Sequence, residues 1–480
     1  MKKSKSIYVK IIVLIFVFAL TLTVLAVPVR AASANSAQKN WSGITSSGTM
    51  VTDENCPIEV ESEILTFDIR QFPDFYFYEQ SEFDGYGAKV TAHYNFYNPA
   101  DYDVDMTLVF PFGNFPSYVD SELSDDGKYS VTADGEAVES TLRHTFDYGN
   151  FNAERDVAKI SDSFKEDGVF SPDAPVHGYC YRISGLTVRE AYINLKTSYN
   201  RANTAVFYSI TDGFGGDGAL YCSQGSSLGT VKNGYYVYLF VVGEEIVPQF
   251  TFTAEGFFYD KVTDGYAELQ RDDEMTFKEL VLAYRDENSV ISEVDWYNAM
   301  LDYIEEFGYL AEYVNYRLMR WCEYRLTIPS GGRLSNEVTV PLYPDINGYY
   351  SPSVYGYEYL LSPARCWAAF GSLEIVINTP YFVLGNSLGE FEKTEDGYVL
   401  SLDGLPDREL NFRLCAEENP TREDSWMKLG GVIGIIVCII FFGVPVLIHI
   451  IALVVALIAL AATGQFRCKP KDKNCNNLQK

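Results

Sequence analysis

The sequence predicts a mainly β protein: two antiparallel β-sandwich-like domains, residues 51–285 and 315–420, joined by a helical connector at 290–314 and followed by a C-terminal transmembrane helix. Three observations predict it. Apolar and polar residues alternate with period two through several segments, which puts one side of each segment on a buried sheet face. The chain holds 36 Tyr and 31 Phe against 5 Trp, a composition that favours strands. Only one stretch outside the apolar runs carries a helix signature, whereas residues 429–463 are uncharged throughout and exceed the ~20 residues that a spanning helix needs.

With 480 residues, 47% of them hydrophobic, the chain can bury large cores and is not a disordered polypeptide. All but one of the 65 acidic residues and 27 of the 37 basic ones lie in 35–428, a net of −37 over that stretch. Such a surface repels nucleic acid and anionic lipid, so no nucleic-acid partner is expected.

In chain order, Lys2, Lys3, Lys5 and Lys10 precede the apolar run from Ile11 to Val27, and small residues follow. This describes a secretory signal peptide over 1–34, with cleavage after Ala31 or Ala34. Residues 35–50, rich in Ser, Asn, Gly and Thr, read as a flexible leader. Lys89 to Tyr97 alternates with Val90, Ala92, Tyr94 and Phe96 on one side. Asn98-Pro99-Ala100-Asp101 turns the chain, and 103–110 alternates again with Val104, Met106, Leu108 and Phe110 inside. The pair predicts an antiparallel hairpin. Residues 191–197, 204–210 and 235–242 are further strands, the last apolar on both faces.

The one helix starts at Ser292-Glu293-Val294-Asp295, a serine N-cap with an acid three residues on. Trp296, Met300, Tyr303, Ile304 and Phe307 then form its stripe, and Gly308 ends it. After it, 316–328 alternates, Pro329-Ser330-Gly331-Gly332 turns, and 337–342 returns. This echoes the first strand–turn–strand unit and suggests two β domains related by duplication. Residues 372–378, 398–402 and 411–414 supply further strands, and 417–424 is a polar stalk.

Trp426 stands where an interfacial anchor belongs, and Arg467, Lys469, Lys471 and Lys473 follow the apolar run 429–463. Basic flanks stay cytoplasmic. The expectation is a single-pass protein of the cell membrane, kinked at Gly443-Val444-Pro445, with its ectodomain outside and a basic tail, 464–480, inside. His449 is a lone ionisable residue within the run.

The segments Phe96-Tyr97-Asn98-Pro99, Phe110-Pro111-Phe112-Gly113, Asp295-Trp296-Tyr297-Asn298 and Leu361-Ser362-Pro363, with Trp367-Ala368-Ala369-Phe370-Gly371, give the chain a family likeness. It resembles uncharacterised exported proteins of Gram-positive bacteria that carry a C-terminal membrane anchor. The resemblance covers most of the ectodomain and implies an architecture, with no activity and no site residues.

Chemical motifs are sparse. Gly-x-Ser-x-Gly occurs at 225–229 and 385–389, but strand-like segments follow both, and a nucleophile elbow needs a helix there. His93, His144 and His177 are far apart in sequence, and His177 with Cys180 is the only local Cys–His pair. Cys56, Cys180, Cys222, Cys322, Cys366 and Cys415 permit fifteen disulfide pairings. Asp101, Asp103 and Asp105 alternate on a strand, and Asp212 and Asp217 lie in a Gly-rich loop; neither set has calcium-loop spacing. No catalytic, cofactor or metal residue is assigned. Tyr349, Tyr350, Tyr355, Tyr357, Tyr359 and Trp367 crowd a Pro- and Gly-punctuated stretch, and aromatic loops on a β scaffold suit protein or sugar recognition. The expected function is a non-enzymatic cell-surface membrane protein whose ectodomain binds a protein partner or a cell-wall component such as a glycan. One alternative is a wall-active extracellular hydrolase using two carboxylates. Another is a membrane-bound sensor, which needs a partner because only 17 residues follow Thr463.

Overall fold

A computed structural model describes residues 32–422 of the chain, apart from 46, 48, 52–54, 74–75, 115, 117, 120–126, 150–151, 213–217, 223–225, 255–261 and 287–288. Residues 1–31 of the expected signal peptide 1–34, the apolar run 429–463 with His449, and the basic tail lie outside the described residues, while 32–34 form a paired strand. Among those described, no helix is long and apolar enough to cross a membrane.

Strands β4 (Lys89–Tyr97) and β5 (Asp103–Gly113) bury the residues that their alternation marks, from Val90 to Phe96 on one and from Val104 to Phe110 on the other. They do not pair with each other. β4 hydrogen-bonds to β3 (Glu59–Asp68) and β8 (Arg333–Pro341) in an eight-stranded sheet. β5 hydrogen-bonds to β2 (Ala37–Ile44) and β7 (Leu318–Ile328) in a five-stranded one. The expected hairpin is thus an arch between two facing sheets. Asn98 holds it: its buried amide donates to Tyr102 O at 2.8 Å and Ile328 O at 2.9 Å, and its Oδ1 accepts from Ala100 N at 3.0 Å.

β7 and β8 form a second arch, and the two arches interlock, β4 on β8 and β5 on β7. Asn98 N–H donates to Gly332 O and Ser330 N–H to Asp103 Oδ1, both at 2.9 Å. The two similar stretches therefore build one sandwich together, and the expected division into serial domains 51–285 and 315–420 does not describe it. Each arch points two apolar strand faces at each other but leaves its backbone edges unpaired, and the other arch supplies the missing neighbours.

β3 pairs in parallel with β11 (Ala369–Asn378). A further five-stranded sheet shares the interior, containing β1 (Ala32–Ala34), β9 (Asp345–Asn347), β10 (Val354–Leu360), β12 (Phe382–Asn386) and β13 (Leu410–Cys415). Phe67 of β3 meets Tyr359 and Phe412 of this sheet edge-on, with ring centroids 5.6 and 5.1 Å apart.

Between β6 (Ser140–Phe146) and β7 the chain inserts a second layered body. A six-stranded antiparallel sheet holds Pro175–Ser184 and the central strand Tyr236–Gly243. Val206, Val237, Leu239 and Val241 pack on a three-stranded sheet, while Phe207 and Val242 face helices α1 (Phe277–Leu282) and α2 (Glu293–Phe307). α2 begins where its sequence requires, Ser292 Oγ accepting from Asp295 N at 3.1 Å, and ends at Gly308 with φ 62°. Trp296 is fully buried and donates to Val281 O at 3.1 Å. This helix is a layer of the inserted body, not a connector between sandwiches.

Residues 35–44 are not a flexible leader. β2 is paired, and Asn35 and Ser36 are completely buried. Asn35 N–H donates to Leu360 O at 2.9 Å, Ser36 N–H donates to Tyr94 OH at 3.1 Å, and Ser36 Oγ lies 3.0 Å from Tyr324 OH. The small polar side chains that make the stretch read as loop fit a polar cluster inside the sandwich.

β1 runs parallel to β10 with Ala32 opposite Glu358. Processing after Ala31 would keep β1 whole. Processing after Ala34 would delete β1 and place a charge on buried Asn35. The expected mature N-terminus is therefore Ala32, read by mass spectrometry of the N-terminal peptide; a chain beginning at Asn35 contradicts it.

Among the described residues, 348–353 and 419–422 belong to a second unit. Its described part pairs Tyr350–Ser351 with Thr421–Arg422.

Candidate functional site

β10 carries Tyr355, Tyr357 and Tyr359 at odd positions and Gly356 and Glu358 at even ones. Successive side chains on a strand point to opposite faces. The odd positions turn into the sandwich. Tyr357 stacks on Phe412 at 5.1 Å between centroids, and Tyr359 is fully buried. Tyr355 lies half-buried in a three-ring stack, 3.7 Å from Phe72, which is 3.8 Å from Tyr381. Trp367 packs on Phe96 at 4.8 Å and is buried too. Burial holds the Tyr357 and Tyr359 phenols well above their ordinary pKa. Of the six aromatic candidates, Tyr357, Tyr359 and Trp367 thus present no surface. Tyr350 is half-buried and Tyr349 exposed; both belong to the second unit.

The even positions face outward, and the strand register builds a site from them. Asp345 of β9 stands opposite Gly356, Gly356 opposite Arg413 of β13, and Arg413 opposite Gly385 of β12. The neighbouring row sets Glu358 opposite Asn411. Ser387 N–H donates to Asn411 O at 2.9 Å, and Asn411 N–H donates to Ser387 Oγ at 2.8 Å. These residues line an open groove of about 390 Å³, with the backbone of Tyr357 and Phe412 as its floor.

The two glycines make the groove. A Cβ on Gly385 would lie 3.3 Å from an Arg413 guanidinium nitrogen, and one on Gly356 would meet nothing nearer than 3.8 Å. Bare backbone on both sides lets the Arg413 side chain lie across the sheet. Two carboxylates, a guanidinium and the Asn411 amide then offer acceptors and donors within one small surface. Such an array suits a ligand dense in hydroxyls, amides or amines.

The catalytic motifs weighed above do not assemble. Ser387, centre of the second Gly-x-Ser-x-Gly, lies at the rim of the groove, but its hydroxyl donates to Glu409 O at 2.6 Å and accepts from Asn411 N. Asn386 Oδ1 accepts from Leu388 N at 2.9 Å and Gly389 N at 3.0 Å, so the motif is an Asx turn. Ser227 opens the strand Ser227–Val231, not a helix. His177 and Cys180, three residues apart on Pro175–Ser184, point to opposite faces. His93 Nε2 bonds Ser335 Oγ at 2.9 Å, and His144 is buried.

Asp103 and Asp105 accept from Ser330 N at 2.9 Å and Thr327 Oγ1 at 2.6 Å. Asp212 is exposed, and Asp217 lies outside the described residues. Among the described residues, no three His, Cys, Asp or Glu gather as metal ligands would.

The groove residues were missed in the sequence, where the eye follows the tyrosines. The available signal was the complementary period-two set, Gly356-x-Glu358 and Asn411-x-Arg413, polar positions interleaved with buried aromatics.

No family model and no curated protein matches the chain. Among solved structures it is similar to a Legionella pneumophila protein described as a "putative nutrient binding protein", at 9% identity and TM-score 0.30, over 80% of this chain and 70% of that one. A likeness at that level carries no functional argument.

Proposed function

We propose that the protein is a non-enzymatic surface protein whose outward groove binds a component of the cell wall, with 429–463 as its membrane anchor. The observation that supports it is the Asp345–Gly356–Arg413–Gly385 row, a polar recess kept open by two glycines. Wall saccharides and their peptide stems present hydroxyls, amides, carboxylates and amines. Arg413 supplies donors for the carboxylates, and Asp345 and Glu358 supply acceptors for the hydroxyls and amines. The full chain in detergent should retain solubilised wall fragments in preference to membrane proteins. Arg413→Ala should weaken retention about tenfold or more, the loss of roughly 1.4 kcal/mol or above that a central contact carries. Unchanged retention by the variant contradicts the site, and capture of a single membrane protein in place of wall material would make the partner a protein.

One observation favours a second reading. Asp345 and Glu358 are diagonal neighbours on paired strands, and both line the same groove. A glycosidase works with two carboxyl groups flanking the scissile bond. Incubating the same wall fragments with the protein decides between them: binding without new reducing ends is the expected outcome, and release of reducing ends that Asp345→Asn abolishes would establish a hydrolase.

A further inference from the structure

Asp345 and Arg413 stand on the two strands that flank β10, in one outward row with Gly356 between them. Arg413 leans towards β12, away from that gap, since a Cβ on Gly385 would lie 3.3 Å from its guanidinium. A Cβ on Gly356 would meet nothing nearer than 3.8 Å, so the floor of the gap is bare backbone. Both charged side chains are exposed, and among the described residues neither forms an ion pair. Opposite charges on the neighbouring eight-stranded sheet do meet, Arg333 Nη2 lying 2.7 Å from Glu61. The groove thus has a positive wall and a negative wall that do not neutralise each other. Glu358, in the next row, adds a second acid.

The groove offers no aromatic face. Tyr357 and Phe412 line it through their backbone, and their buried rings stack on each other inside the sandwich, 5.1 Å between centroids. A neutral sugar ring would find no plate to stack on and would leave Arg413 without a counter-charge.

We infer that the groove takes a zwitterionic peptide segment, with a ligand carboxylate on Arg413 and a ligand ammonium on Asp345, spanning Gly356. The inference rests on the reading of this groove as a wall-binding site and narrows it, from wall components in general to a peptide stem that keeps a free amine and a free carboxylate. A guanidinium grips a carboxylate through two parallel N–H···O bonds, each stronger than a bond between neutral groups. Gly356 lets the ligand backbone lie close to the strand between the two charges. Asn411, opposite Glu358, offers an amide to the ligand's own peptide groups.

The test is calorimetric titration of the full chain in detergent with defined probes. The first is N-acetyl-alanyl-lysyl-alanine, whose only charges are the lysine ammonium and the terminal carboxylate. The second is its C-terminal amide, the third its lysine-acetylated form, and the fourth the neutral tetramer of N-acetylglucosamine. Digested wall material is titrated alongside. The zwitterionic peptide should bind saturably, and either neutralised peptide should bind about tenfold or more weakly. Arg413→Gln should abolish the preference for the carboxylate over the amide and keep the preference for the free amine; Asp345→Asn should do the reverse. A merely structural role for either residue would weaken all peptides together, and that result overturns the inference. So does equal affinity of the wild type for the three peptides. Binding of the glycan or of wall material without the peptides, lost in Gly385→Leu, overturns the inference and leaves the wall-binding groove standing. Binding of neither probes nor wall material contradicts both.

Discussion

Replacing Glu63 by Gln should stabilise the protein by about 4 kcal/mol at pH 8 and change its stability little at pH 4. Glu63 is a β3 residue inside the sandwich, 1% exposed. Its Oε2 accepts from Asn35 Nδ2 at 3.1 Å, and its Oε1 has no partner among the described residues. Burial holds the carboxyl up to about 8, against 4.5 for a free side chain. Below pH 4.5 the group is neutral in the folded and unfolded chain alike, so its full stability is present. As pH rises from 4.5 towards 8, the unfolded chain ionises while the folded one keeps its proton, and about 1.4 kcal/mol is lost per unit. Above 8 the loss is complete. Gln retains an acceptor for Asn35 and cannot ionise. Denaturant midpoints at pH 4.5, 6 and 8 should therefore diverge between the two proteins as pH rises. Parallel curves would show that Glu63 is solvated.

Arg143→Met should cost about 3–5 kcal/mol, the toll of leaving a buried charge without its partner. Arg143 on β6 is 6% exposed and binds across three parts of the fold. Its Nε donates to both Asp295 carboxylate oxygens at 3.2 Å, while its Nη1 reaches Asp162 at 2.8 Å and Glu323 at 3.1 Å. Asp295 is 2% exposed and lies in the first turn of α2, so the guanidinium fastens the helix of the inserted body to β6 and β7. Lys39 of β2 also reaches Glu323, at 2.8 Å. Adding Asp295→Asn to Arg143→Met removes the stranded charge and should recover part of the loss, which a double-mutant cycle measures. A cost below about 1 kcal/mol for the single variant would mean that water already screens the cluster.

Local structure was legible because it has local causes. Strand faces followed from alternation in Lys89–Tyr97, and α2 followed from its Ser292 cap, its apolar stripe and Gly308. Partner choice was not legible. A period-two pattern says which face is buried and leaves open which strand lies alongside, so two arches read as two hairpins. Their interlocking is set by contacts more than 200 residues apart in sequence, such as Ser330 N–H to Asp103. Asn35 and Ser36 read as loop because polarity usually means solvent, whereas here it serves buried Glu63, Tyr94 and Tyr324.

The same limit governed the site. The tyrosines of β10 drew the functional reading, and three of the six chosen aromatics proved to be core because odd positions on that strand face inward. Arg413 and Gly385 acquire meaning only when β12 and β13 are seen side by side.

The measurement that bears most directly on this account is calorimetric titration of soluble wall glycopeptide fragments into the full chain and its Gly385→Leu variant. Gly385 has an ordinary backbone conformation, so leucine should fill the groove while the sheet still folds. Saturable binding by the wild type and its loss in the variant is the predicted result. Equal affinity in both proteins would place the binding surface elsewhere and contradict the groove as the functional site.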